Sequence, residues 1–196
     1  MEAMDFFRLS NGRWRSQRTT HHLPFRRAEL GELEIETQTL ETDDERVTAV
    51  CNMHDIDPSK AIGGIAVNWS GSMAWDQDGE SLSGDTVMVL VPDDEQPEQG
   101  RLLRERGYAE IVPVVGRYEV DDQDGLILTT EYETMSSVER FWFPNPDLRL
   151  RSSTVKRFGG FNTASFCAET RIADAEEQSE PDAASPGASL YSAMGW

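Results

Sequence analysis

An all-β chain, closed as an up-and-down barrel or folded as a sandwich, is predicted by three observations. From Ile62 onward short alternating runs follow one another with turn chemistry at fairly regular intervals. Two similar runs precede them, and only one segment carries a convincing long helical pattern. The runs add up to about ten or eleven strands, and closing a sheet of that size removes the edges it would otherwise expose. With 196 residues, 38% hydrophobic content, five Trp and eight Phe, the chain has enough to bury one sizeable core. The expected organisation is a barrel domain over 1–172 and an acidic, disordered tail over 173–196.

Taken in order, Met4 to Leu9 fits a short amphipathic helix whose Phe6, Phe7 and Leu9 close one end of a core, and Asn11-Gly12 stops it. Trp14 to Leu23 and Glu32 to Leu40 alternate as strands, the second with Leu33, Ile35 and Thr37 on one face. A helix over about 43–56 is predicted from a capping box at Thr42-Asp43-Asp44-Glu45 and from Val47, Val50, Cys51 and His54 at helical spacing; Asp57-Pro58 ends it. On that stripe Cys51 reads as a small buried apolar group and His54 as a packed or capping histidine.

The later strands are Ile62 to Trp69, Ser72 to Asp76, Thr86 to Val91, Arg101 to Tyr108, Ile111 to Val120, Leu126 to Tyr132, Met135 to Phe143, Leu148 to Val155 and Asn162 to Ile172. Asp78-Gly79 and Asp124-Gly125 read as hairpin turns, and Pro92 to Gly100 as a longer acidic loop. Asp121 to Gly125 resembles the start of a calcium loop, but Val120 stands where the first carboxylate belongs, so the segment reads as a turn. The tail ADAEEQSEPDAASPGAS has five acids, no basic residue and little to bury.

A net charge of −18 argues against nucleic acid and anionic membranes as partners, because both repel such a chain at long range. The two cysteines, Cys51 and Cys167, form no CxxC and have no neighbouring His; neither a disulfide scaffold nor a metal site is supported. MEAMDFFRLSNGRW lacks the basic flank and apolar core of an export signal, and no long apolar run occurs. A soluble, cytoplasmic protein is expected, with no glycan at Asn68-Trp69-Ser70. No nucleotide-binding Gly motif, HExxH or GxSxG is present.

The chemistry is therefore sought in polar and aromatic groups able to line a barrel lumen. The Met135–Val155 hairpin, turned at Pro144-Asn145-Pro146-Asp147, puts Arg149 and Arg151 on one face and Glu139 on a face with Phe141 and Phe143. Arg18 and His21 fall on opposite faces of a regular strand, so both line a lumen only if a bulge intervenes. Trp69 and Trp75 bracket a Gly71-centred turn. For the indoles ordinary core packing is the alternative reading, and for the arginines a solvated outer face. The bias of 16 Arg against two Lys suits forked carboxylate recognition but has base composition as its simpler explanation.

DFFRLSNGRWRSQRTTHHL, VNWSGSMAW, GRLLRERGYAE, TEYETMSSVERFWF, NPDLRLRSS and KRFGGFNTASFCAE occur in this order between Asp5 and Arg171. Together they resemble the S-type phycobiliprotein (bilin) lyases of cyanobacteria and cryptophytes, the CpcS/CpeS chromophore lyase family. The resemblance implies a lipocalin or fatty-acid-binding-protein-like antiparallel β-barrel. It also implies an enzyme that binds a linear tetrapyrrole, phycocyanobilin or phycoerythrobilin, as substrate and attaches it through a thioether to a cysteine of an apo-phycobiliprotein α or β subunit. No cofactor or metal is implied, and the place of work is the cyanobacterial cytoplasm near phycobilisomes.

In such a site Arg18, Arg149 or Arg151 would meet the propionates, Glu139 or Glu169 would hold the pyrrole protons, His21 would relay a proton, and Trp69 and Trp75 would wall the pigment. The other readings are a noncatalytic bilin or lipid carrier, or a partner subunit of a heteromeric lyase. A homodimer and a heterodimer with a related lyase are both open.

Overall fold

A computed structural model describes residues 1–73, 82–94, 96–105, 114–158 and 160–173. In chain order the elements are α1 (Ala3–Ser10), β1 (Gly12–His22), a 3-10 turn (Leu23–Phe25), β2 (Arg27–Leu40), α2 (Glu45–Met53), a second 3-10 turn (Pro58–Lys60), β3 (Gly63–Met73), β4 (Leu82–Asp93), β5 (Gln96–Arg104), β6 (Val114–Val120), β7 (Leu126–Glu131), β8 (Met135–Asn145), β9 (Leu148–Arg157) and β10 (Gly160–Arg171). Each strand pairs antiparallel with its neighbours in sequence, and β1 pairs with β10, from Trp14 opposite Arg171 to His22 opposite Thr163. The sheet is thus a closed up-and-down barrel; the sandwich is not what forms.

Alternation decides what fills it. On β2, Glu29, Gly31, Leu33, Ile35 and Thr37 point inward while Glu32, Glu34 and Glu36 point to solvent. β4 departs from alternation because both its faces are covered. Met88 and Leu90 enter the lumen, and Val89 and Val91 pack outside against Val47, Val50 and Cys51 of α2.

Hairpin connections alternate between the two ends, so the turns 93–96, 120–126 and 145–148 gather at the end that α1 plugs. Phe6 and Phe7 of α1 join Ile65, Leu102 and Leu128 in the lumen core, and the Phe6 ring lies 4.9 Å from that of Phe143. Arg171 locks the plug: its guanidinium donates to the carbonyls of Leu9 (2.8 Å), Asn11 (2.6 Å) and Pro146 (3.0 Å), occupying acceptors left over where α1 ends. The opposite end, with the turns at 22–27, 131–135 and 157–160, has no such plug among the described residues.

Several expectations are corrected. The helix is capped by Asp44, not by the Thr42 box, because the Asp44 carboxylate accepts from the Arg46 amide (2.9 Å) and also pairs with the Arg46 guanidinium (2.7 Å). The helix ends at Met53, not 56. Gly71 is no turn: β3 runs through it to Met73, and Gly71 lies opposite Leu33 so closely that a Cβ would meet the Glu32 carbonyl. Glycine there permits close strand approach.

The Pro92–Gly100 loop is a tight connection, because β4 continues to Asp93 and β5 begins at Gln96. The hairpin turn is shifted by one residue: Asn145 pairs with Leu148, its side chain accepts from the Asp147 amide (3.0 Å), and Pro144 lies within an irregular stretch of β8. The Asp121–Gly125 turn forms as expected, with the Asp121 carboxylate accepting from the Gln123 and Gly125 amides. Trp75, Asp78-Gly79, the ends of the runs around 106–113 and the tail from 174 lie outside the described residues.

Phe6→Ala should destabilise the protein by about 3–5 kcal/mol, the usual range for emptying a buried Phe site. Urea denaturation checks this, and a loss below about 1 kcal/mol would show that α1 does not plug the core.

Candidate functional site

The register of β1, β10, β9 and β8 stacks inward side chains in rungs, from the plugged end to the open one. Ser16, Glu169 and Arg149 lie side by side on the first; Arg18, Cys167, Arg151 and Phe141 on the second. Thr20, Ser165, Ser153 and Glu139 form the third, and His22, Thr163, Val155 and Ser137 the fourth. Four adjacent strands thus place charge at the level where a barrel of purely apolar interior would place branched aliphatics.

Two hollows run along these rungs. One of about 380 Å³ sits over the plug, walled by Ile35, Trp69, Leu128 and Phe141 and edged by Arg18, Arg149, Arg151 and Glu169. The other, of about 420 Å³, shares Arg18 and Arg151 with it and extends past Glu139 and Ser137 to His22, Arg157 and Thr163 at the open end. Each is within the range of small-molecule sites. Trp69 stays at the wall because its cross-strand neighbour is Gly84; a Cβ there would run into the indole.

The charges are pre-paired. Arg149 donates through Nε to Glu169 Oε2 at 2.5 Å, Arg151 reaches Glu169 at 3.7 Å, and Ser16 donates to the same carboxylate at 3.4 Å. Burial alone would raise the Glu169 pKa, but the Arg149 and Arg151 guanidiniums outweigh it and hold the carboxyl below the usual carboxylate range. Burial draws Arg149 downward, yet guanidinium basicity is so high that the pair stays ionised. Arg149 also lies 4.8 Å from the centroid of Trp14, which receives Arg171 at 4.2 Å.

Glu139 is held more loosely, 3.5 Å from Arg104 and 3.6 Å from Arg151. Arg18 donates to Thr20 at 3.0 Å and, among the described residues, makes no ion pair. Its charge is thus available to a ligand, as is that of Arg157 at the mouth of the outer hollow.

The structure brings Arg18, Trp69, Glu139, Arg149, Arg151 and Glu169 together around these hollows. His21 is not among them. β1 has no bulge against either neighbour, so His21 is exposed on the outer face between Ala28 and Ala164, and its proposed relay position is corrected. The inward histidine is His22, with Nε2 at 2.5 Å from Glu29 Oε2. Strict alternation from Trp14 through Ser16, Arg18 and Thr20 to His22 already carried that signal.

Arg104 was also missed, although it shares the inward parity of Leu102 on β5. Cys51 is buried, its thiol pKa pushed up by desolvation, and His54 bonds the Arg104 carbonyl at 2.9 Å. Cys167 is buried beside Arg151, 3.3 Å from Nη2.

Comparison with known proteins follows the same outline. The profile of the family described as CpeS-like protein matches residues 2–172. Chromophore lyase CpcS/CpeS 2 of Trichodesmium erythraeum is 59% identical over 196 residues, the whole of both chains. Phycocyanobilin lyase subunit CpcS of Picosynechococcus sp. is 58% identical over all of this chain and 98% of its own. The solved structure of the S-type phycobiliprotein lyase CPES from Guillardia theta is 32% identical, with a TM-score of 0.77, over 89% of this chain and 94% of that one.

A folded-state carboxyl pKa below the unfolded value of about 4.3 contributes stability that is present above that pH and is lost as pH falls through the folded pKa. Wild-type protein should therefore weaken in acid. Glu169→Gln strands the buried Arg149 and should cost about 3–5 kcal/mol at pH 7, while losing less than wild type between pH 4 and pH 2. Urea midpoints at both ends of that window measure the difference; parallel losses would show that Glu169 does not carry the effect.

Proposed function

The chain belongs to the CpeS-like protein family, and from that membership we propose that it is a chromophore lyase, which binds a phycobilin in the barrel lumen and attaches it to a cysteine of a phycobiliprotein subunit. The observation that carries the placement is Arg18, a lumen guanidinium with no ion pair among the described residues, standing at the junction of two hollows walled by Trp69 and Phe141. An open-chain tetrapyrrole is flat, apolar along its conjugated body and anionic at two propionates. A wall of aromatics edged by arginines meets each of those demands.

Glu139 is the better counter-ion for a protonated bilin. Both carboxylates are buried, but Glu169 is tied to Arg149 at 2.5 Å, whereas Glu139 lines the outer hollow and holds its partners at 3.5 and 3.6 Å, so it can exchange them for pyrrole N–H groups. Protonation makes the A-ring ethylidene more electrophilic. The acceptor thiol then adds across that double bond, sulfur to the exocyclic carbon and the proton to the ring carbon, with no net oxidation or reduction. The nucleophile belongs to the acceptor, in keeping with Cys51 being buried on the face of α2 that packs against the outside of the barrel. Holding the pigment in one conformation supplies the rest of the rate.

His22, with Glu29 behind it at the open end, replaces His21 as the group placed to pass protons between lumen and water. On this reading the lyase works in the cytoplasm, where bilins and apo-subunits meet. A second reading, one subunit of a heteromeric lyase, is favoured by the word "subunit" in the name of the Picosynechococcus relative.

Purified protein mixed with phycocyanobilin should show a shifted visible band and pass the pigment to an apo-subunit as a zinc-fluorescent covalent adduct. Absence of transfer to every subunit of a phycocyanin and allophycocyanin panel, even with a related lyase chain added, would falsify the proposal. Arg18→Ala should weaken bilin binding by roughly tenfold or more, as expected for losing one charge-assisted contact. Glu139→Gln should leave binding largely intact, abolish the red-shifted protonated band and slow transfer by roughly 10²–10⁴-fold; an unchanged band would move the counter-ion role to Glu169.

A further inference from the structure

The open rim carries an apolar cluster that the barrel itself does not use. Leu23 and Phe25, at the β1–β2 connection, are 44% and 73% exposed; Phe158 and Phe161, at the β9–β10 connection, are 88% and 55% exposed. The two connections are neighbours, because β1 pairs with β10 up to His22 opposite Thr163 and the Leu23–Phe25 turn packs on β10. Four large apolar side chains on adjacent tips expose an apolar surface that the fold does not itself bury.

Backbone geometry presents the patch at a cost. Phe158 and Arg26 both have positive φ, 49° and 51°, a region that bulky L-residues rarely adopt. Strain spent to hold an aromatic ring in water points to a use for the ring outside the folded chain.

The charge of these two tips is opposite to that of the molecule, although the neighbouring β7–β8 turn, which accepts from the Phe158 amide at Thr134, adds Glu131 and Glu133 to the same end. The chain has 36 acids, yet His21 to Ala28 contains none, and neither does the whole stretch from Leu148 to Ala168. Arg26, Arg27, Lys156 and Arg157 stand there instead, and the Lys156 ammonium lies 4.6 Å from the Phe161 centroid. Arg157 and Thr163 also line the outer hollow, so the patch borders the way out of the lumen.

We propose that this rim is the docking face for the acceptor subunit, whose matching surface would be apolar side chains flanked by carboxylates around the target cysteine. The inference rests on the reading of the lumen as a bilin site. If the pigment lies inside, the thiol that takes it must come to the mouth, and whatever carries that thiol must cover these residues. Two adjacent tips with basic and no acidic residues, on a chain of net charge −18, favour an acidic partner there over the acidic remainder of the surface. An anionic membrane is the weaker occupant, because the rest of the surface repels it.

Two double variants test this: Phe158→Ser with Phe161→Ser, and Arg26→Glu with Lys156→Glu, none of which lines either hollow. Each is titrated with phycocyanobilin by absorption, then assayed for adduct formation on the apo-subunit that wild type serves best. Bilin affinity should stay within about twofold of wild type, while kcat/KM for transfer falls at least about tenfold through a higher KM for the acceptor. The wild-type KM should rise with salt, and that of the charge-reversed variant should not.

Transfer within twofold of wild type overturns the docking face, as does an equal loss of bilin affinity and transfer. Flotation with phosphatidylglycerol vesicles that depends on Phe158 and Phe161, with transfer unchanged, assigns the patch to lipid; conversion of a dimer to monomers by the variants, again with transfer unchanged, assigns it to a second copy. A wild-type protein that fails to bind or transfer bilin defeats the lumen reading itself, before any variant is compared.

Discussion

The Arg149–Glu169 pair sets the character of the whole interior. A guanidinium and a carboxylate, both almost fully buried at 2.5 Å, are expensive to desolvate and tolerable only if each lone pair and proton finds a partner. The barrel meets that condition with three strands at once: Ser16 from β1, Glu169 from β10 and Arg149 from β9, with Trp14 offering its ring to the guanidinium. Aliphatic packing at the same rung would be at least as stable. Keeping charge there instead holds Arg151 and, beyond it, Glu139 in a graded series, from locked at the plug to loosely paired at the mouth.

That gradient follows from the plug. α1 and the Arg171 latch shut one end and exclude water from the first rung, which strengthens the ion pair there. Toward the open end polar groups line the outer hollow and hold their partners at longer distances, so they remain available to a guest. One end of the barrel is built for stability and the other for exchange, and Arg18 stands where the two meet.

Much of this was legible because strand side chains obey a period of two. Given the Met135–Val155 hairpin, the shared face of Arg149 and Arg151, and of Glu139 with Phe141, follows from counting. The same counting placed His22 inward, but the resemblance drew attention to its neighbour His21, and no bulge on β1 rescues that choice. What counting could not supply was register between strands far apart in sequence: Ser16 beside Glu169 is a contact across 153 residues, set only when the barrel closes. Local chemistry misled where several residues offered the same function. Thr42, Asp43 and Asp44 can all cap a helix, and Asp44 prevails because Arg46 binds its carboxylate twice. Gly71 looked like a turn because glycine serves both turns and close strand contacts; its neighbour across the sheet, absent from any local window, decides between them.

The arginine bias takes on a physical reading once the fold is known. Arg149 gives its Nε to Glu169 and its face to Trp14, Arg151 spans Glu139 and Glu169, and Arg171 divides its donors among three backbone carbonyls. Each of these tasks needs several donors in fixed directions or a flat cationic face, which an ammonium lacks. Base composition can supply arginines, but it does not choose where they go. Their placement at the rungs, the plug and the mouth is what selection on a charged lumen would produce, and Lys156, one of only two lysines, sits at the rim where a mobile point charge in water suffices.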